Sequence, residues 1–111
     1  MKDTGKIYEI ENEDGVMHVL LTGEMDHHNA VATRQDIDRL ILEERPRKVV
    51  LDLSGIAFMD SSGLGFVMGR YSLMQRLGGE LVLERPNERV TKIFELAGLE
   101  RIVKIEKEKI V

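Results

Sequence analysis

The chain of 111 residues has no cysteine and no tryptophan, and aromatic residues make up only 5% of it. Without thiols there is no disulfide framework, no thiolate nucleophile and no cysteine zinc site, which suits a reducing compartment. With so few rings the core must be aliphatic, and little surface remains on which single-stranded nucleic acid could stack. Positive charge is not in excess either. Sixteen Lys and Arg stand against 20 Asp and Glu, a formal charge of -4, whereas a protein that follows a phosphate backbone needs a basic face. No nucleic-acid partner is expected. Long apolar runs are also missing: Val49 to Leu51 and Phe66 to Met68 fall far short of the roughly 20 residues that cross a bilayer. The stretch from Met1 to Glu13 carries Lys2 and Lys6, then Glu9, Glu11 and Glu13, with no signal-peptide core. A soluble, cytoplasmic protein with no membrane association is the expectation.

What is present is enough apolar material for one core. Hydrophobic residues are 42% and charged residues 32% of the chain, and a chain of this size removes roughly 65% of its unfolded surface from water. One domain over residues 1–111 is expected, with no internal repeat, linker or low-complexity tract.

The pattern reads ββαβαβαβ. Ile7, Tyr8 and Ile10 lead into the turn signal Asn12-Glu13-Asp14-Gly15, and Val16 to Leu21 returns as the second arm of a hairpin. From Asn29 to Glu44, Val31, Ile37, Leu40 and Ile41 recur at helical spacing until Pro46 stops the helix. Lys48 to Leu53 is a nearly continuous apolar run, as in strands covered on both faces. Ser54 and Gly55 are expected to break it, with 56–59 a loop or short extension. A second helix opens at Ser61 or Ser62 with the stripe Leu64, Val67, Met68, Tyr71, Met74 and Leu77, and closes at Gly78-Gly79. Glu80 to Leu83 is a strand, and Glu88 to Ala97 a helix with Val90, Ile93, Phe94 and Ala97 inward, ended by Gly98. Arg101 to Ile105 is the last strand. Alternating strands and helices predict an α/β fold: a mixed, mostly parallel sheet with an N-terminal antiparallel hairpin and helices packed against it.

Two strand-to-helix passages could carry chemistry. The first is Phe58-Met59-Asp60-Ser61-Ser62-Gly63-Leu64-Gly65. Helix N-termini attract anions, and glycines let a partner come close. Against this, Ser61 or Ser62 could simply cap the helix, and Gly63, Gly65 and Gly69 could reflect close packing on the sheet. A Walker A loop lacks its Lys, a dinucleotide fingerprint fails because Met68 stands where its third glycine is required, and a nucleophile elbow around Ser61 has Met59 in place of its first glycine. The second passage is Thr22 to Asn29, in which Asp26 is a natural N-cap. If the two preceding strands are parallel neighbours, Asp26 and Ser61 lie together at the carboxyl edge of the sheet, where open α/β folds bind ligands and partners. His27 and His28 diverge by about 100° on a helix, so they make a poor metal site. His18 is read as a surface or edge residue.

Leu21-Thr22-Gly23-Glu24-Met25-Asp26-His27-His28, the Asp60-Ser61-Ser62-Gly63-Leu64-Gly65 segment, Gly69-Arg70-Tyr71 and Phe94 to Leu99 together resemble the anti-sigma factor antagonists, which are stand-alone STAS domains, and most nearly the sporulation branch that controls sigma F. That resemblance implies a non-enzymatic switch. The unphosphorylated protein binds an anti-sigma factor that is also a serine kinase and so frees the sigma factor; phosphorylation of the first serine of the pair, here Ser61, ends the binding. A PP2C-like phosphatase restores the serine, and Asp26 matches a position that helps in partner binding. ATP and magnesium would belong to the kinase, with no cofactor or metal on this chain. The expected partner surface is Asp26, Asp60, Ser61, Ser62, Gly63 and Gly65, on a protein that is monomeric when free. Two alternatives stay open: a small serine hydrolase using Ser61 or Ser62 with His27 or His28, and a STAS scaffold component of a larger signalling assembly.

Overall fold

The computed structural model describes residues 7–108. Strand β1 (Tyr8–Glu13) turns through Asp14 and Gly15 into β2 (Val16–Met25). Both turn residues have positive φ, 54° and 80°, the geometry that lets a two-residue hairpin loop follow the twist of its strands. Then come α1 (His27–Glu44), β3 (Lys48–Met59), α2 (Ser61–Arg76), β4 (Glu80–Glu84) and α3 (Glu88–Ala97). A 3-10 turn (Leu99–Arg101) leads to β5 (Lys104–Glu106). Among the described residues the sheet order is β1-β2-β3-β4-β5, antiparallel at the first step and parallel thereafter. Each parallel step needs a crossover, and the helices supply it.

One face of the sheet carries Met17, Val19 and Leu21 from β2, Val49, Leu51 and Leu53 from β3, and Leu81 and Leu83 from β4. The buried residues of α1 (Ala30, Ile37, Ile41) and of α2 (Phe66, Val67, Met74) join them in a single core. The core is aliphatic as expected, Phe66 and Phe94 being its buried rings. Arg45, with φ 50°, ends α1 just before Pro46. Gly78 (φ 78°) and Gly98 (φ 71°) follow α2 and α3.

Several expectations need correcting. Ser54 and Gly55 do not break the third strand: β3 continues to Met59 and stays paired with β2. Leu20 pairs with Asp52 but Thr22 with Gly55, and Gly23 pairs with Ile56 but Glu24 with Phe58, so β3 carries an extra residue at each of two bulges. Bulges bend a strand without ending it. Gly55 permits the first, because a Cβ there would lie 2.8 Å from the Leu21 carbonyl oxygen. Helix α1 begins at His27, two residues before the predicted Asn29, and the last strand shrinks to Lys104–Glu106 after a 3-10 turn. His18 lies on β2, an interior strand, and is half-buried. On α3, Ala97 is exposed while Val90 and Phe94 are buried.

The α2 stripe is also displaced. Val67 and Met74 are buried as predicted, but Leu64, Met68, Tyr71 and Leu77 only flank the core, and Gly63, Phe66 and Arg70 fill the buried positions. Arg70 is 4% exposed. Its Nε lies 2.7 Å from Asp38 Oδ1, and its Nη2 donates to Asp38 Oδ2 at 3.1 Å. Nη1 donates to the Phe66 carbonyl, and the guanidinium stands 5.0 Å from the Phe66 ring centroid. This two-point ion pair joins α1 to α2.

Two side chains give stability a pH dependence of opposite sense. Burial works to raise the Asp52 pKa, but the Ser54 N–H at 2.9 Å and Arg85 at 2.6 Å overcome it and hold the carboxyl below its usual 3.8. Its contribution is therefore present above pH 3.8 and lost as pH falls further. Burial, followed by the hydrogen bond to Asp36, pushes the Tyr8 hydroxyl up to about 12 from 10. That contribution is intact below pH 10 and lost between 10 and about 12. Urea midpoints measured across pH should fall at both ends, with Asp52→Asn flattening the acid limb and Tyr8→Phe the alkaline one. Unchanged limbs in those variants would refute the assignment.

Candidate functional site

The pairing of Met25 with Met59 brings the ends of β2 and β3 side by side. The chain leaves each strand through an aspartate that caps the next helix. Asp26 accepts from the Asn29 N–H at 2.9 Å, and Asn29 Nδ2 donates back to the Glu24 carbonyl at 2.8 Å. Asp60 accepts from the Ser62 N–H at 2.8 Å, while its carbonyl takes the Gly63 N–H at 3.0 Å. The capping role offered to Ser61 or Ser62 thus belongs to Asp60, and both serines sit inside the first turn of α2. An aspartate cap satisfies one orphan N–H and contributes about 1 kcal/mol.

With that job taken, Ser61 is left over. It is exposed at the first helical position, and no hydrogen bond among the described residues engages its hydroxyl. Ser62 is half-buried, Asp60 exposed and Asp26 half-buried. Register places the Asp26 and Asp60 caps next to each other at the carboxyl edge of the sheet, as predicted for parallel neighbours.

The glycines divide into two kinds. Gly63 is buried, and a Cβ on it would fall 2.6 Å from Met59 Cβ and 3.1 Å from Met25 Cγ. It seats the start of α2 on the ends of both strands. Gly65 has nothing within 4 Å of an added Cβ, and neither has Gly69. Packing therefore does not require them. Ser61, Gly65, Gly69 and Ser72 recur down one flank of α2 and leave its outer surface smooth. Gly65→Ala should stabilise the domain by about 0.5–1 kcal/mol through helix propensity, whereas Gly63→Ala should destabilise it by roughly 1–3 kcal/mol through overpacking. Chemical denaturation of the two variants decides; a destabilised Gly65→Ala would show that the surface is packed after all.

The structure adds a neighbour that the sequence did not assign to the site. Asn87 caps α3 through the Val90 N–H at 2.8 Å and donates from Nδ2 to the Ile56 carbonyl at 3.1 Å. This anchors α3 beside the bulged end of β3. Phe58, two residues before Asp60, then lies under Arg89, 5.4 Å from ring centroid to guanidinium. With Lys92 and Ile93 they line a shallow hollow of about 390 Å³. The only hint in the sequence was the outward placement of Arg89 and Lys92 on a helix whose inward face is apolar.

His27 and His28 are exposed in the first turn of α1, and among the described residues neither is hydrogen-bonded to Ser61 or Ser62. A serine hydrolase uses a nucleophile hydrogen-bonded to a base, and among the described residues no such bond links either serine to a histidine. No group of three metal-ligating side chains forms among the described residues. No helix of the described residues is long and apolar enough to cross a membrane.

Comparison with known proteins agrees with this geometry. The STAS domain family model matches residues 8–109. The anti-sigma F factor antagonist of Paenibacillus polymyxa is 39% identical over 97 residues, covering 87% of this chain and 83% of its own. The crystal structure of TM1081 from Thermotoga maritima superposes with a TM-score of 0.85 at 27% identity, over 95% of this chain and 90% of that one. SpoIIAA, an anti-sigma factor antagonist solved in its unphosphorylated form, gives a TM-score of 0.78 at 28% identity over 88% and 86% of the two chains. The phosphorylated form of the Bacillus protein gives 0.71 at 27% over 88% and 89%. A mixed five-stranded sheet, two aspartate-capped helix starts meeting at its carboxyl edge and these likenesses lead to one assignment: the chain belongs to the STAS domain family, among the anti-sigma factor antagonists.

Proposed function

We propose that this chain is a phosphorylation-controlled binding module: unphosphorylated, it docks on an anti-sigma factor that is also a serine kinase, and phosphorylation of Ser61 ends the docking. The observation that carries this reading is the exposed Ser61 hydroxyl on a rigid helix start, relieved of capping by Asp60 and flanked by the Asp26 cap. The names of the relatives favour sigma F as the factor released, and the existence of SpoIIAA in both forms supports a covalent switch.

Phosphoryl transfer asks little of an acceptor beyond a positioned hydroxyl. Ser61 Oγ attacks the γ-phosphorus, the Oγ–P bond forms, the bond to the β-phosphate oxygen breaks and ADP leaves. The serine proton goes to a base on the kinase, which also holds ATP and magnesium. This chain contributes no catalytic group and binds no cofactor in this scheme. Its own contribution is placement: the smooth flank of α2 at Gly65 and Gly69 lets the partner reach the serine. A PP2C-like phosphatase resets the switch in the cytoplasm, and the free protein is a monomer.

The test is labelling with the cognate kinase and γ-labelled ATP. Ser61→Ala should abolish incorporation and Ser62→Ala should retain it. Label that survives Ser61→Ala but disappears in Ser62→Ala would reassign the acceptor, and label in both variants would move it off this edge.

A further inference from the structure

The sheet has a second face. Helices α1 and α2 cover the side bearing Met17, Val49 and Leu81, while the opposite side forms a hollow of about 630 Å³. Strand register arranges it in three rows running from the β1 edge inward: Glu13, Val16 and Lys48; Glu11, His18 and Val50; Glu9, Leu20 and Asp52. The floor is apolar, with Val16 and Leu20 half-buried and Val50 only 1% exposed. Parallel strands are ordinarily covered on both faces.

The wall of the hollow is acidic. Glu9, Glu11 and Glu13 are exposed and lie on the same side of β1, an edge strand. No ion pair among the described residues involves them. Of the two cations that line the hollow, Arg47 is held by the Asp14 carbonyl at the Glu13 end of the wall and makes no ion pair with a glutamate among the described residues, and Lys48 stands two strands away. A carboxylate row of this kind also keeps the β1 edge from pairing with another β1, because the glutamates would meet like charge.

We propose that this face docks a basic amphipathic helix of a partner protein, at a site separate from the Ser61 edge. Alternate residues of a strand are about 6.8 Å apart, and residues four apart on a helix rise about 6 Å. A helix lying along β1 with Lys or Arg at every fourth position therefore meets Glu9, Glu11 and Glu13 in turn over about 14 Å, while apolar residues on the adjoining flank rest on Val16 and Leu20. A second copy of this chain is a poor occupant: none of α1, α2 or α3 presents Lys or Arg at three successive positions four apart. The site reads helix charge and not phosphoserine, so it operates whatever the state of Ser61.

The probe is an amidated helical peptide of about sixteen residues built from Ala-Leu-Lys-Ala repeats, with a control of the same composition whose Leu and Lys positions are shuffled to destroy the apolar flank. The full chain should bind the first peptide at least about tenfold more tightly than the shuffled one. The triple variant Glu9→Gln, Glu11→Gln, Glu13→Gln should lose about tenfold in affinity, since three weak exposed ion pairs are removed together. Amide shifts on titration should concentrate at Glu11, His18 and Leu20, with Ser61→Ala binding equally well. Equal binding of the shuffled peptide, an unaffected triple variant, or shifts centred on α2 would each overturn the proposal. So would a concentration-dependent dimer that the triple variant abolishes, which would give the face to a second copy.

Discussion

Phosphorylated at Ser61, the protein is expected to bind its anti-sigma factor about a hundredfold or more weakly, with its fold and stability nearly unchanged. The phosphate adds a charge of roughly -1.5 to -2 and three acceptor oxygens at an exposed position adjoining the Asp60 carboxylate and next to the Asp26 cap. Within the monomer the positive end of α2 offsets the added anion by about 0.3–1 kcal/mol, so the thermal midpoint should not fall. An approaching partner has no such compensation. It must desolvate three anionic groups together, and misplaced like charge across an interface costs several kcal/mol, where about 2.8 kcal/mol already corresponds to a hundredfold. Ser61→Ala should bind like the unmodified protein, and Ser61→Glu, with one negative charge, should lose an intermediate amount. Calorimetry of the four forms with the anti-sigma factor, alongside backbone amide spectra, measures both halves of the expectation. Undiminished binding by the phosphorylated form would remove the switch; a broad backbone rearrangement would make it conformational instead of local.

The second large effect concerns stability. Asp38→Ala should destabilise the domain by about 2–3 kcal/mol, because it strands the Arg70 charge between two helices. Removing one partner of a buried pair typically costs 3–5 kcal/mol, and the lower figure is appropriate here because the Asp38 side chain is 32% exposed while that of Arg70 is 5%. Replacing both residues, Asp38→Ala with Arg70→Met, should recover much of that loss: the thioether fills the space beside Phe66 and no charge remains to be solvated. The signature is non-additivity, with the double variant more stable than Asp38→Ala alone in urea denaturation. Additive losses would mean that the pair is not coupled.

Much of this architecture was legible along the chain. Asp14-Gly15 prescribes a tight hairpin because both residues tolerate positive φ, and the Val49 to Leu53 run marks the central strand of the sheet, although one face of that strand borders a hollow and is not covered by a helix. Asn87 and Gly98 bracket a helix whose limits, Glu88–Ala97, agree with the reading to the residue. These are local signals, set by sterics and hydrogen bonding within a few residues. The errors share a cause. Ser54-Gly55 reads as a breaker, yet pairing with β2 carries β3 through it as a bulge, and Gly55 is there because the Leu21 carbonyl comes so close. Arg70 is absent from the stripe predicted for α2, and only Asp38, 32 positions earlier, explains its burial.

The candidate edge divides in the same way. From the sequence alone came the two strand-to-helix passages, Asp26 as the cap of the first helix and a pair of serines with either as the cap of the second. Tertiary structure decided that Asp60 does the capping, that Ser61 is thereby left exposed and unengaged, and that Gly63 is a packing residue while Gly65 is not. It also set the Asp26 passage beside the Asp60 passage, by pairing Met25 with Met59. Turns and periodicity depend on neighbours in the chain, so composition and spacing determine them. Which capped ends meet, which charge is buried and which face of the sheet stays open depend on contacts between residues far apart, and only the folded chain brings those together.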